Sequence, residues 1–263
     1  MSLGDPAGGA GPTFITSRDN PQLKMLRRLA QDPRAYREQR QVWLEGDHLC
    51  RAARDRGLVP ELAVFAESTW PGASTEWGRF DQRTLVVPDP LFESLSGLSS
   101  PARMGWAVAL PVAQPLSSQA PSVILDRVQD AGNVGSILRS AAAFGFHQVL
   151  ALKGTAGLWS PKVLRAGMGA HFGLRLLEGL ASGDLDALQV PWLATSSHSG
   201  ELLHRAALPW PCAWLMGHEG QGVSPALEAR ATLRIRIGQP GGEESLNVAA
   251  AAAICLHASA VSR

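Results

Sequence analysis

Between residues 122 and 258 the chain repeats one pattern: a short apolar run, a break rich in glycine, then a stretch with helical spacing. Residues 122–125, 148–152, 174–176, 192–195, 213–216 and 233–237 read as strands. Residues 134–144, 161–167, 185–189 and 246–258 read as helices, and 201–205 as a surface turn of helix. Strand, helix, strand in repetition predicts an α/β unit with a parallel sheet and helices on both faces. Such sheets bind ligands at the carboxyl ends of their strands. The residues just after each strand are therefore the candidates for chemistry.

The first part of the chain alternates differently. Residues 16–30 form an amphipathic helix, with Leu23, Leu26 and Leu29 on one face and Asn20-Pro21 at its start. Strands are expected at 41–45, 62–66, 85–87 and 105–110, with helices at 47–56 and 89–95. Residues 67–83 are broken by Pro71, Gly72 and Gly78 and read as an irregular helix or a loop. Pro111, Pro115 and Pro121 bracket a polar stretch of linker composition. The expected organisation is a leader at 1–13, a small α/β domain at 14–111, a linker at 112–121 and a second domain at 122–263.

Composition narrows the classes. No apolar run is long enough to cross a bilayer. The Gly/Ala/Pro-rich start lacks the layout of a secretion signal. Cys50, Cys212 and Cys255 are scattered without zinc-type spacing, which fits reduced core thiols in a cytoplasmic protein. The net charge is +1, but residues 18–56 hold ten Lys/Arg against six Asp/Glu. A phosphate backbone would select such a surface, and a solvated helical face explains it as well. The G-x-G-x-x-G, G-x-x-x-x-G-K-[ST] and Gly-x-Ser-x-Gly patterns are missing, and no His/Cys/carboxylate cluster has metal-ligand spacing. What remains is a pocket built mainly from backbone.

Three constellations border that pocket. In the first, DRVQDAGNVGSILRSAAAF from Asp126 to Phe144, Asn133 opens a helix and Arg139 is the only formal charge from Ala131 through Leu152. Burying a guanidinium unpaired is costly, so Arg139 either surfaces on the polar side of its helix or points into a polar cleft. Asn133 reads equally as a helix cap. In the second, GHEGQG, Glu219 stands between glycines just past a strand, a carboxylate that could pair with Arg139. His218 reads as a solvated loop histidine or a general base. In the third, Ser245, Leu246 and Asn247 enter the last helix, where capping accounts for one of the two polar residues. Trp159 reads as a core residue or as a stacking platform for a base.

In this order and spacing, DAGNVGSILRSAAAFG, LMGHEGQGVS and IRIGQPGGEESLNVAAAAAI resemble the three motifs of the SpoU (TrmH-type) family of RNA 2′-O-ribose methyltransferases. SPKVLRAGMGAHF resembles the stretch between the first two motifs. ITSRDNPQLKMLRRL and VWLEGDHLCRAA resemble the family's L30e-like substrate-binding domain. The resemblance implies a SPOUT-type C-terminal domain with a deep trefoil knot, a homodimer, and S-adenosylmethionine as methyl donor. It implies an RNA substrate, ribosomal before transfer RNA, with no DNA, membrane or metal involved. Carried over by position, Arg139 is the catalytic candidate, and Asn133, Glu219, Ser245 and Asn247 shape the site around it. Gly217, Ile237 and Leu246 match the backbone groups that hold the cofactor, with Thr195 nearby.

A guanidinium normally stays protonated, so the role expected of Arg139 is to position RNA phosphate and stabilise developing charge. Two positions depart from the family's pattern. Gly238-Gln239 stands where Pro-Met is usual, and His218 where Asn or Ser is common. The first departure keeps open a non-catalytic RNA-binding or ribosome-assembly factor on the same fold. Methylation of a base rather than a ribose is the third reading.

Overall fold

The computed structural model describes residues 11–77, 83–98, 100–196, 199–241 and 245–262. The chain separates into two units, Met1–Pro111 and Val112–Arg263. Most of the leader expected at 1–13 lies outside the described residues. Thr13 does not belong to a leader: it starts β1 (Thr13–Phe14), which pairs with β4 (Arg83–Val87).

In the first unit the strands β2 (Gln41–Glu45), β3 (Leu62–Ala66) and β5 (Met104–Ala109) join β1 and β4 in one sheet, ordered β1-β4-β3-β5-β2. The β1-β4-β3 side is parallel, and β5 and β2 run antiparallel to their neighbours. Helix α1 (Pro21–Gln31) starts where Asn20 accepts from the Gln22 amide and Pro21 needs no partner for a missing N–H. Its Leu23, Leu26 and Leu29 enter a core with Trp43, Val64, Leu85 and Phe92. Helices α2 (Ala35–Gln39), α3 (Asp47–Arg54), α4 (Trp70–Trp77) and α5 (Asp89–Leu95) complete the unit. The broken stretch 67–83 thus contains α4, with Pro71 tolerated in its first turn, and residues 78–82 lie outside the described set.

The second unit has seven strands, and every pairing in its sheet is parallel. They are β6 (Ser122–Asp126), β7 (Gln148–Leu152), β8 (Arg175–Leu180), β9 (Trp192–Thr195), β10 (Glu201–Leu202), β11 (Ala213–Gly217) and β12 (Leu233–Arg236). Their order is β10-β12-β9-β11-β6-β7-β8. Helices α6 (Ala131–Ala143), α7 (Pro161–Gly167), α8 (Pro225–Glu228) and α9 (Val248–Val261) connect or close them.

Two expectations fail here. Residues 201–205 are not helical, because Glu201 and Leu202 pair with Ile235 and Arg236 and satisfy the open edge of β12. The helix expected at 185–189 is instead a 3-10 turn at Ser182–Ala187. Cys50, Cys212 and Cys255 are buried and unpaired. The Trp214 indole donates to the Ser259 hydroxyl at 2.9 Å, which fastens α9 to β11.

Helices α6 and α7 meet at two glycines. A Cβ on Gly135 would lie 2.4 Å from the Ala166 Cβ and 2.8 Å from the Gly167 nitrogen. His171 backs this crossing, with its ring 2.5 Å from where a Gly167 Cβ would stand. Its Nε2 lies 2.8 Å from the Leu158 carbonyl, Trp159 packs on its ring, and its Nδ1 has no partner among the described residues. Trp159 is therefore a core residue.

Burial pushes the His171 pKa down to about 4 from its usual 6.5. The unfolded chain takes up this proton near 6.5 and the folded chain only near 4. Stability therefore falls as pH drops through that window. Thermal melts from pH 7 to 4.5 should show this decline, and His171→Gln should flatten its upper part. An unchanged pH profile in the variant would show that His171 is not the group responsible.

Candidate active site

The carboxyl ends of β6, β11, β9 and β12 lie side by side. Gly217 is in register with Asp126, Leu215 with Ala194, and Thr195 with Ile235. Just past β11 the chain folds back tightly. The His218 amide donates to the Gly222 carbonyl at 3.0 Å, and the Gly222 amide returns to the His218 carbonyl at 2.8 Å. A Cβ on Gly217 would lie 2.1 Å from the Val223 nitrogen, so only glycine permits this closure. The Gly220 amide donates to His218 Nδ1 at 3.0 Å, which makes the imidazole part of the turn.

This turn delivers Glu219 to the start of α6. Its carboxylate accepts from the Asp130 amide at 3.0 Å, the Gln129 amide at 3.2 Å and Asn133 Nδ2 at 3.1 Å. Burial alone would raise its pKa. The N–H bonds from Asp130, its own amide, Asn133 and Gln129 outweigh that and hold the group below the usual carboxylate range. Asp130 caps α6 by accepting from the Asn133 amide at 2.7 Å.

Asn133 Oδ1 accepts from Asn247 Nδ2 at 2.9 Å. Asn247 caps α9 by accepting from the Ala249 and Ala250 amides at 2.9 and 3.2 Å. One hydrogen-bonded line, Glu219–Asn133–Asn247, therefore joins the β11 turn, the start of α6 and the start of α9.

Below this line sits buried Asp126. It accepts from the Ser224 amide at 2.6 Å and pairs with Arg127 at 3.0 Å. Burial opposes its ionisation, but Arg127 and Ser224 prevail and lower its pKa. Arg127 reaches on to the Gln221 side chain at 3.0 Å and so braces the same turn from the other side.

Arg139 stands apart. It is exposed on α6 and makes no side-chain hydrogen bond or ion pair among the described residues. Six positions separate it from Asn133, about 9 Å along the helix and roughly 120° around it. The pairing with Glu219 considered from the sequence is not made, because main-chain N–H groups and Asn133 already occupy that carboxylate. The last helix begins at Val248 rather than at 246, since Asn247 takes the cap. Ser245 and Leu246 are exposed before it, and residues 242–244 lie outside the described set.

Thr195 donates its hydroxyl to the Leu215 carbonyl at 3.1 Å, across the ends of β9 and β11. Ile237 is half-buried just past β12. Two buried polar atoms at this end of β12, Arg236 Nε and Gln239 Oε1, lack partners among the described residues. Bare strand ends and unmet polar atoms fit a polar small molecule. Asp126, Arg127, Gln129 and Asp130 stand inside the first constellation, but no role was read from the sequence for any of them. The spacing of Asp130 and Asn133, a cap and its third helical residue, was the signal available.

The chain matches the SpoU rRNA Methylase family model over residues 120–257. It is 29% identical over 218 residues to RlmP of Bacillus subtilis, a 23S rRNA guanosine 2′-O-methyltransferase, covering 81% of this chain and 86% of that one. A crystal structure of an RNA 2′-O ribose methyltransferase superposes with a TM-score of 0.81 at 30% identity, covering 95% of this chain and 99% of that chain. An AdoMet-bound rRNA methyltransferase from Sinorhizobium meliloti superposes with a TM-score of 0.81 at 26% identity, covering 94% and 97%.

Removing the Asn247 amide should unfasten both the α9 cap and the link to Asn133. Asn247→Ala is expected to destabilise the protein by about 1–2 kcal/mol, and Asn247→Asp by less, because the cap survives. Denaturant midpoints test this. Equal losses in both variants would show that the cap contributes nothing.

Proposed function

The chain belongs to the SpoU rRNA methylase family, and from that premise we propose that it methylates a ribose 2′-hydroxyl of structured ribosomal RNA. It is an S-adenosylmethionine-dependent RNA methyltransferase. The observation that carries the reading is the line Glu219–Asn133–Asn247, which draws the three motif segments to one end of the parallel sheet.

The bound cofactor supplies a methyl group on positively charged sulfur, an electrophile that needs no acid. Gly217, Ile237 and Leu246 would hold it through backbone groups, with Thr195 stiffening the adjoining strand ends. Glu219 and Asp126 give this end of the sheet negative character, suited to a sulfonium. Asn133 and Asn247 fix the rim between the helix starts. Arg139, exposed and without a protein partner among the described residues, is available to RNA. It positions a phosphate and steadies charge developing on the attacking oxygen. Ser245 lines the entry to α9.

Three further features belong to this reading. The last strands enter between earlier ones, β11 between β9 and β6 and β12 between β9 and β10. That order supports a C-terminal segment threaded as a trefoil knot. Ala250, Ile254, His257 and Val261 form an exposed, mostly apolar stripe on α9, with Ile254 41% and Val261 66% exposed. This stripe supports a homodimer packed on α9. The mixed five-stranded sheet of residues 13–109, flanked by helices, supports an L30e-like domain that grips RNA.

Arg139→Ala should lower methyl transfer to ribosomal RNA at least a hundredfold, while calorimetry finds cofactor affinity within a few-fold of wild type. Wild-type turnover in that variant would remove Arg139 from the mechanism. Cofactor that fails to bind the wild-type protein at millimolar concentration would favour a non-catalytic RNA-binding factor.

A further inference from the structure

The first unit concentrates its positive charge on one segment. Residues 18–40 hold seven Lys/Arg against three Asp/Glu, whereas residues 41–111 hold six against nine. On α3, Arg51 and Arg54 stack over Trp77 at 5.2 and 4.9 Å, and both bond to Glu76. These two guanidinium groups serve packing. Arg103 is likewise bonded to Asp89 and Ser68.

In the α1–α2 segment Lys24 pairs with Asp19, Arg28 with Asp32 and Glu38, and Arg27 bonds to Ser94, so only the α2 turn differs. Arg34 and Arg40 flank α2, are exposed, and make no side-chain hydrogen bond or ion pair among the described residues. Arg37 lies between them, exposed, with its guanidinium 5.0 Å from the Tyr36 ring. The three arginines recur every third position along a short helical turn.

Arg40 also ends α2 in the left-handed region, at φ +54, where glycine is the favoured residue. Its side chain makes no hydrogen bond or ion pair among the described residues that would offset that strain. A strained position that keeps a long cation points to a use outside the fold.

We propose that the α2 turn is the surface on which RNA phosphates dock, with Arg34 and Arg40 as the contacts. The inference rests on the reading that residues 14–111 grip RNA. A polyanion is the partner that suits this surface, because the segment's charge surplus is local while the rest of the unit is acidic.

The test uses the full-length protein and in-vitro-transcribed 23S rRNA, with filter binding over a range of KCl concentrations. Arg34→Gln combined with Arg40→Gly should lower the slope of log Kd against log[KCl] by about 2 and weaken binding roughly tenfold or more at low salt. Arg83→Gln, an exposed arginine outside the segment, should change neither. Arg40→Gly relieves the strained backbone, so the variant should melt no lower than wild type, and calorimetry should find its cofactor binding unchanged.

A wild-type slope in the double variant overturns the proposal. If Arg83→Gln or Arg56→Gln lowers the slope instead, the unit still grips RNA through another face. If none of these variants moves it, the RNA-gripping reading of the unit falls as well.

Discussion

The second unit depends on one carboxylate meeting a row of N–H groups. Glu219 accepts from the Gln129 and Asp130 amides and from Asn133. Without a counter-charge, those amides at the start of α6 would have no intrahelical partners. Without the amides, this exposed carboxylate would rest on Asn133 and water alone and would not hold the turn. Each group answers the other's deficit, and the result fixes the β11 turn against α6. Asn247 then ties α9 to the same point through Asn133. Elements far apart in the chain acquire a shared rim from hydrogen bonds that close to 3.2 Å or less.

That rim explains why glycines cluster here. Gly217 allows the turn to fold flat on its own strand. Gly135 and Gly167 let α6 and α7 approach closely, which sets the axis along which Arg139 is presented. Two ionised carboxylates and the unmet polar atoms of Arg236 and Gln239 lie at the carboxyl ends of β6, β11 and β12 or just past them. On the proposed reading, the turns on the carboxyl side hold the methyl donor, and Arg139, without a side-chain partner among the described residues, meets the RNA.

Much of this was legible in the residues. Helical spacing placed Leu23, Leu26 and Leu29 in a core, and apolar runs marked the strands of the parallel sheet. Asn133, Glu219 and Asn247 stood out by type and position. Their connection did not, because Glu219 bonds mainly to main-chain amides, which carry no residue label. The short elements β1, β10 and α2 were also invisible. A two-residue strand exists only because a neighbour's backbone accepts it, and periodicity has no room to develop over so few positions. The placing of Arg139 away from Glu219 follows from helix geometry once the start of α6 is known.

The most direct test is the chemical location of the transferred methyl group. Ribosomal RNA incubated with the protein and deuteromethyl-labelled S-adenosylmethionine would be digested to nucleosides, and each labelled nucleoside fragmented at its glycosidic bond in a mass spectrometer. The account predicts that the label stays with the ribose. Label on the free base would contradict it.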